Sequence, residues 1–224
     1  MDDRQAAKRR AGAAAAEAAT DGMVVGLGTG STAAAAIRAL GQRVDGGLDI
    51  TGVPTSYQAR VAAMEAGIPV QEIGTLARID LAIDGADQVV GKTAIKGRGG
   101  AHTREKIVDT AADELLLVVD ESKLADALTE AVPLAVVPAA RSTAAAAVRE
   151  HGGEPTLRAA TSKDGPVVTD EGNLILDCAF GRIDAPAELA ATLAAIPGVV
   201  EHGLFVELAD KIYVGRPEGV STVT

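Results

Sequence analysis

Two aspartates three residues apart, Asp84 and Asp87, open a stretch that runs through Lys96 and a group of glycines to Glu105. These residue types suit proton transfer beside a developing negative charge. A carboxylate takes the proton, and a nearby ammonium steadies the oxygen that becomes anionic. Lys96 opens Lys-Gly-Arg-Gly-Gly, and a lysine beside small residues can approach a substrate oxygen closely. Glu105 follows Thr103, read as the N-cap of a helix over 103–112. The helix N-terminus favours the carboxylate form, burial opposes it, and a base needs the two in balance. The same residues have plainer uses. Strand-end aspartates form turns and caps, a first-turn glutamate is ordinary, and a lone lysine is usually solvated. His102 is assigned no chemistry.

A second cluster, Gly28-Thr29-Gly30-Ser31-Thr32, follows the short apolar run Met23–Leu27 and precedes AAAAIRAL. Small residues let backbone N–H groups face an anion, and the following helix points its positive end at it. Ser31 or Thr32 is read as the cap of that helix, and Gly41 as its end. Gly26, Gly28 and Gly30 give G-x-G-x-G. A dinucleotide fingerprint would need glycine where Ser31 stands and an acid after the second strand, where Val53-Pro54-Thr55 stands instead. The turn fits one phosphate monoester better, with hydroxyls of Thr29, Ser31 and Thr32 as extra donors. Lys123, just beyond the strand end at Asp120, is a second candidate for phosphate charge, or equally a helix-surface lysine. Together the two clusters read as a site that binds a phosphorylated sugar and moves a proton on it.

Other chemistries find less support. The three histidines, 102, 151 and 202, are scattered without ligand spacing, so no metal is expected. Asp84 and Asp87 are too close in sequence for a retaining glycosidase pair, and no cleft aromatics accompany them. The net charge of −10 and 2% aromatic content disfavour nucleic acid. An acidic chain with an anionic substrate must build a local positive pocket, and its acidic excess also suits a salty cytoplasm. The single cysteine, Cys178, permits no internal disulfide and reads as an inert strand position in a reducing cytoplasm. No apolar run is long enough for a membrane span, and MDDRQAAKRR has no export-type apolar stretch behind it.

The elements that must position these residues alternate. A helix is expected over 3–19, strands over 23–27, 48–53, 70–73, 76–83 and 115–119, and helices after the 28–32 turn, over 57–66 and over 103–112. That pattern predicts a doubly wound, mainly parallel sheet, whose ligands sit beyond the carboxyl ends of the strands. Near residue 130 the pattern changes to strand, helix, hairpin, helix, strand, a small α+β domain of the split βαβ kind. The expected division is 1–129 with a C-terminal return at 208–224, and 130–207.

Taken together, GLGTGST, GVPTSYQA, DLAIDGADQ, IKGRGGAHTREKI, DESK, VTDEGNLILD and IPGVVEHGLF closely resemble the type A ribose-5-phosphate isomerases, in order and spacing, over nearly the whole chain. The resemblance implies an α/β architecture: a Rossmann-like domain, a smaller ferredoxin-like one, and a homodimer or homotetramer. It implies interconversion of ribose 5-phosphate and ribulose 5-phosphate in the non-oxidative pentose phosphate pathway, through an enediolate, without metal or organic cofactor. Glu105 corresponds to the proton-carrying base, Lys96 to the oxyanion stabiliser and Asp84 to the group assisting proton movement and ring opening. Asp87 would hold hydroxyls. The implied substrate contacts are Thr29, Gly30, Ser31, Thr32, Asp84, Gly85, Ala86, Asp87, Lys96, Gly97, Arg98, Gly99 and Lys123, with Lys8 a looser match near the phosphate. Arg98 stands where many relatives have glycine and could bind phosphate or pair with an acid. Gln88 replaces a frequent glutamate.

Overall fold

Five-residue strands that are apolar on both faces can be buried only in a sheet covered by helices above and below. The computed structural model shows that arrangement. It describes residues 3–224; Met1 and Asp2, where the first expected domain begins, lie outside the described residues. In chain order the elements are α1 (Asp3–Ala16), β1 (Met23–Leu27), α2 (Ser31–Asp45), β2 (Ile50–Pro54), α3 (Tyr57–Glu65), β3 (Leu81–Asp84), β4 (Gln88–Val90), β5 (Thr93–Ile95), α4 (His102–Ala111) and β6 (Leu115–Asp120). Then come β7 (Val132–Val136), α5 (Arg141–Glu150), β8 (Glu154–Leu157), β9 (Leu174–Ala179), α6 (Pro186–Ala194), β10 (Val199–His202), β11 (Leu204–Phe205), β12 (Lys211–Gly215) and β13 (Val220–Val223). They gather into two compact units. One holds the chain up to Ala86, Arg104–Leu124 and Glu207–Thr224; the other holds Asp87–Thr103 and Ala125–Val206.

The first unit is built on a six-stranded sheet of order β13-β12-β6-β3-β1-β2. Every pair from β2 to β12 is parallel, and β13 closes the edge antiparallel. On one face, Val25 and Leu27 of β1, Leu81 and Ile83 of β3, and Leu116 and Val118 of β6 pack against alanines and Ile37 of α1, α2 and α3. The core has almost no aromatics, so helices must approach closely. A β-carbon on Gly12 of α1 would lie 2.5 Å from the Ala36 amide nitrogen of α2. The opposite face is covered by α4, whose Val108 clusters with Val53 and Ile79. Helices on both faces of a parallel sheet make the unit doubly wound and Rossmann-like.

The second unit contains a four-stranded sheet of order β10-β7-β9-β8, antiparallel throughout. With α5 after β7 and α6 after β9, this is the ferredoxin-like βαββαβ order. Its core joins Val132, Leu134 and Val136 to Val148, Leu176 and Leu193. A three-stranded sheet, β11-β5-β4, completes the unit. Gly203 separates β10 from β11 and lets one extended segment serve both sheets. A β-carbon there would meet the Lys96 carbonyl oxygen at 2.2 Å.

Several local expectations are corrected. Gly41 does not end α2, which continues to Asp45. Its lack of a side chain admits the Ala66 carbonyl, 2.5 Å from where a β-carbon would stand. Neither Ser31 nor Thr32 caps α2; Gly30 does, with φ 104°, and no side chain bonds the cap. Thr103 is not an N-cap but the second residue of α4. The expected strand over 70–73 is a single bridge from Val70 to Gly52 followed by a short 3-10 turn. Strands β4, β5 and β8 were not expected. They are only three or four residues long, too short for an alternating pattern to show.

Candidate active site

In the parallel sheet the order reverses at β1. The chain goes to one side for β2 and to the other for β3. The carboxyl ends of β1 and β3 therefore form a switch point, where such sheets bind ligands. The two predicted clusters are found there. β1 delivers the Gly28–Thr32 turn and β3 delivers Asp84, which is fully buried. Asp84 Oδ1 accepts hydrogen bonds from the amides of Thr29 (3.0 Å) and Gly85 (2.6 Å). Gly28 has no room for a side chain, because a β-carbon would stand 2.1 Å from the same oxygen.

Around the turn the polar groups interlock. Thr29 Oγ1 donates to Ser56 Oγ (2.7 Å) and lies 2.8 Å from Thr55 Oγ1. Thr55 in turn donates to the Leu27 carbonyl, and Ser56 caps α3 by accepting from the Ala59 amide. Thr29 thus spends its hydroxyl inside the protein while its amide orients Asp84. Ser31 is exposed at the start of α2, and Lys8 Nζ of α1 donates to its hydroxyl at 2.9 Å. An ammonium and a 15-residue helix's positive end so meet at one place, the combination that attracts a phosphate. At the end of β6, Asp120 accepts from Ser122 and pairs with Arg4 (3.3 Å). Burial alone would raise its carboxyl, but these bonds and the Arg4 charge outweigh that and hold it below the usual range. Half-buried Lys123 follows in the same turn.

Glu105 is buried in the first turn of α4. Its place follows from the packing of that helix. α4 runs against the strands, since its C-terminal Ala111 carbonyl accepts from Ile79 ahead of β3 (3.0 Å). Val108 faces Gly26, with a methyl 2.6 Å from where a β-carbon would be. Glu105 is three residues nearer the helix start, about 4.5 Å along the axis. Gly28 is two residues, about 6.6 Å, further along β1 on the same face. Glu105 therefore covers the strand ends on the face where the Asp84 carboxylate lies.

Asp87, Lys96, Gly97, Arg98 and Gly99 belong to the second unit. Lys96 leaves β5 almost completely buried. Its amide donates to the Gly203 carbonyl (2.9 Å), and its ammonium stands 5.2 Å from the Phe205 ring centroid, within cation–π range. Gly97 must be glycine. Its φ is 110°, and a β-carbon would meet His102 Nδ1 at 2.8 Å. Arg98 takes the acid-pairing alternative. Its amide donates to Asp87 Oδ2 (2.9 Å) and its guanidinium reaches Glu130 (3.3 Å). Gln88 accepts from the Thr129 and Glu130 amides (2.7 and 2.9 Å) while donating to Thr129 Oγ1, a three-bond brace for that loop.

The matching family model, ribose 5-phosphate isomerase A (phosphoriboisomerase A), covers residues 51–219. The chain belongs to the ribose 5-phosphate isomerase A family. The protein of that name from Haloarcula marismortui is 60% identical over 219 residues, covering 98% of this chain and 96% of the relative. The solved ribose 5-phosphate isomerase A of Methanocaldococcus jannaschii matches at TM-score 0.94 and 43% identity over 99% of both chains. A solved D-ribose-5-phosphate isomerase in complex with phospho-erythronic acid matches at TM-score 0.94 and 43% identity, covering 97% of each.

For a ribose 5-phosphate isomerase A family member, the first unit brings together Thr29–Thr32, Asp84, Gly85 and Glu105 around one switch point, with Ala86 the last residue before the chain leaves that unit. The second unit assembles Asp87, Lys96, Gly97 and Arg98 on one glycine loop. Reading residues one by one missed Thr55 and Ser56, whose hydroxyls fix Thr29; the Pro-Thr-Ser break after β2 was the available signal. It also missed Arg158, which donates to the Gly97 and Arg98 carbonyls, and Asp177, which pairs with Arg158; neither carries a local motif. Among the described residues no cluster of three or more His, Cys, Asp or Glu could hold a metal ion, and no helix is long and apolar enough to cross a membrane.

Proposed function

We propose that this chain interconverts D-ribose 5-phosphate and D-ribulose 5-phosphate, with Glu105 as the base. Glu105 takes the proton from carbon 2 of the open-chain aldose, and the electron pair moves towards the carbon 1 carbonyl to give an enediolate. The resulting acid returns the proton to carbon 1 as the hydroxyl proton passes from oxygen 2 to oxygen 1. Atoms and electrons balance within the sugar, so the reaction requires no cofactor. Lys96 steadies the anionic oxygen, Asp84 moves protons at the sugar oxygens and assists ring opening, and Asp87 holds hydroxyls. The Thr29–Thr32 turn, Lys8 and Lys123 attract the phosphate, while Gly85, Ala86, Gly97, Arg98 and Gly99 line the sugar with backbone. A general base contributes roughly 100- to 10,000-fold, and positioning supplies much of the remainder.

The observation that most supports this reading is a buried carboxylate, Glu105, over the strand ends that carry Asp84. The phospho-erythronic acid bound by the solved relative adds to it. Its planar carboxylate places an anionic oxygen beside a hydroxyl-bearing carbon, as an enediolate places oxygens on adjacent carbons. The reading extends to a cytoplasmic homodimer or homotetramer in the non-oxidative pentose phosphate pathway. The test is incubation of the purified protein with ribose 5-phosphate in deuterated water containing chelator, following ribulose 5-phosphate and solvent deuterium. Ketose formation is expected, with Glu105→Gln slowing turnover by at least ~100-fold and weakening substrate binding far less. A Glu105→Gln protein with normal turnover would overturn the base assignment.

A further inference from the structure

We propose that Arg158 is a positioning residue for the Lys96 loop, which it fixes through two backbone carbonyls. This rests on the reading that Lys96 serves the isomerisation. Arg158 lies just past β8, where its own amide donates to the Ile175 carbonyl of β9 (2.9 Å). Its side chain is 16% exposed. One edge is taken by Asp177 of β9, with Nε on Oδ2 at 2.9 Å and Nη2 on Oδ1. That fork-to-fork pairing sets the guanidinium plane. Nη1 then donates to the carbonyls of Gly97 and Arg98, both at 2.9 Å. These carbonyls belong to the two residues that immediately follow Lys96.

The consequence lies in peptide planarity. In a trans peptide the C=O and N–H point opposite ways, so holding the Gly97 and Arg98 carbonyls aims the N–H groups of Arg98 and Gly99 away from Arg158. The first of these reaches Asp87 Oδ2 at 2.9 Å. The second belongs to an exposed glycine. Gly97 at φ 110° and Gly100 at φ 78° would otherwise leave the loop many conformations. Arg158 thus converts a glycine run, the most mobile backbone available, into a rigid platform running from Lys96 to Gly100. Lysine cannot replace it, because one ammonium offers three donors to four acceptors and has no planar fork.

The test compares wild type, Arg158→Lys, Asp177→Asn, the double variant carrying both, and Lys96→Met in the ribose 5-phosphate assay, with thermal unfolding and amide hydrogen exchange of the 96–101 segment. Arg158→Lys and Asp177→Asn are each expected to lower kcat at least tenfold, to change KM less, and to speed exchange in that segment, while the cooperative unfolding transition is kept. The double variant should be little worse than either single one, since both break the same clamp. Loss of kcat in Lys96→Met alone, with both clamp variants at wild-type kcat, would overturn the proposal while leaving the isomerase reading intact. Wild type without turnover, or Lys96→Met with full turnover, would overturn the reading on which it rests. Should Arg158→Lys fail to unfold cooperatively, Asp177→Asn decides by the same criteria, because it keeps the arginine in place.

Discussion

The amide of Thr29 donates to Oδ1 of Asp84 across 3.0 Å, tying the turn that follows β1 to the acid that ends β3. One hydrogen bond thereby links the turn proposed to hold phosphate with the acid proposed to move protons. Any displacement of one is felt by the other.

Gly28→Ala should expose that linkage. The added methyl would stand 2.1 Å from Asp84 Oδ1 and 2.5 Å from Asp84 Cα, so a backbone atom and not only a side chain must retreat. Overpacking of this kind costs about 1–3 kcal/mol, and turnover should fall ~100-fold or more, as misplacement of about 1 Å produces. Urea unfolding and kcat measured on one preparation would check both. A variant with wild-type kcat would mean that Asp84 need not hold this position.

Lys96→Met removes the charge while keeping an unbranched side chain against Phe205. In its proposed role as oxyanion stabiliser, this loss should cost about 100- to 1,000-fold in kcat, with KM changing less, because the charge answered develops in the transition state. Steady-state kinetics in both directions of the isomerisation would measure this, and an equal rise in KM with unchanged kcat would assign Lys96 to ground-state binding instead.

Asp120 gives a pH prediction. Its carboxyl is lowered in the folded chain despite burial, because Ser122 and Arg4 bond the charged form. With a folded value below the ordinary one near ~3.9, the stabilisation is complete above that ordinary value. It disappears as pH falls through the folded value, since the unfolded chain binds the proton first. The stability advantage of wild type over Asp120→Asn should therefore shrink as the pH is taken from about 5 to about 2. Denaturant unfolding at a series of pH values would follow it, and a difference that stayed constant across that window would contradict the assignment.

Cys178 should be inert in the native protein. It is fully buried on β9, and burial first, then the neighbouring Asp177 charge, push its thiol up to about 12. Labelling with a thiol reagent at pH 8 should proceed only after denaturant unfolds the chain. Rapid stoichiometric labelling of the folded protein would refute this.

Much of the candidate site was legible because its chemistry is concentrated in short motifs. Asp84 ends an apolar strand, the 28–32 turn separates a strand from a helix, and Glu105 sits in a helix's first turn. These are local signals, and they survived. The strand-to-helix alternation likewise announced the parallel sheet. What escaped was long-range. β4 and β5 are three residues each; they pair with each other, and the other edge of β5 is completed only by β11, about a hundred residues on. Gly41 looked like a helix stop because its packing partner, Ala66, is invisible from its neighbours. Arg158 reads as an ordinary surface arginine until Asp177 and the Gly97 and Arg98 carbonyls are seen around it.

The parallel sheet is assembled from pieces far apart in the chain, and this bears on its birth at the ribosome. β6 has every residue buried, yet β12, which covers one of its edges, is made only after the whole ferredoxin-like segment has been synthesised. Throughout that interval the nascent chain carries an open, apolar strand able to pair with a stranger. Removing residues 211–223 should therefore turn a well-behaved protein into one that clumps during expression, even though every proposed reacting group would still be present.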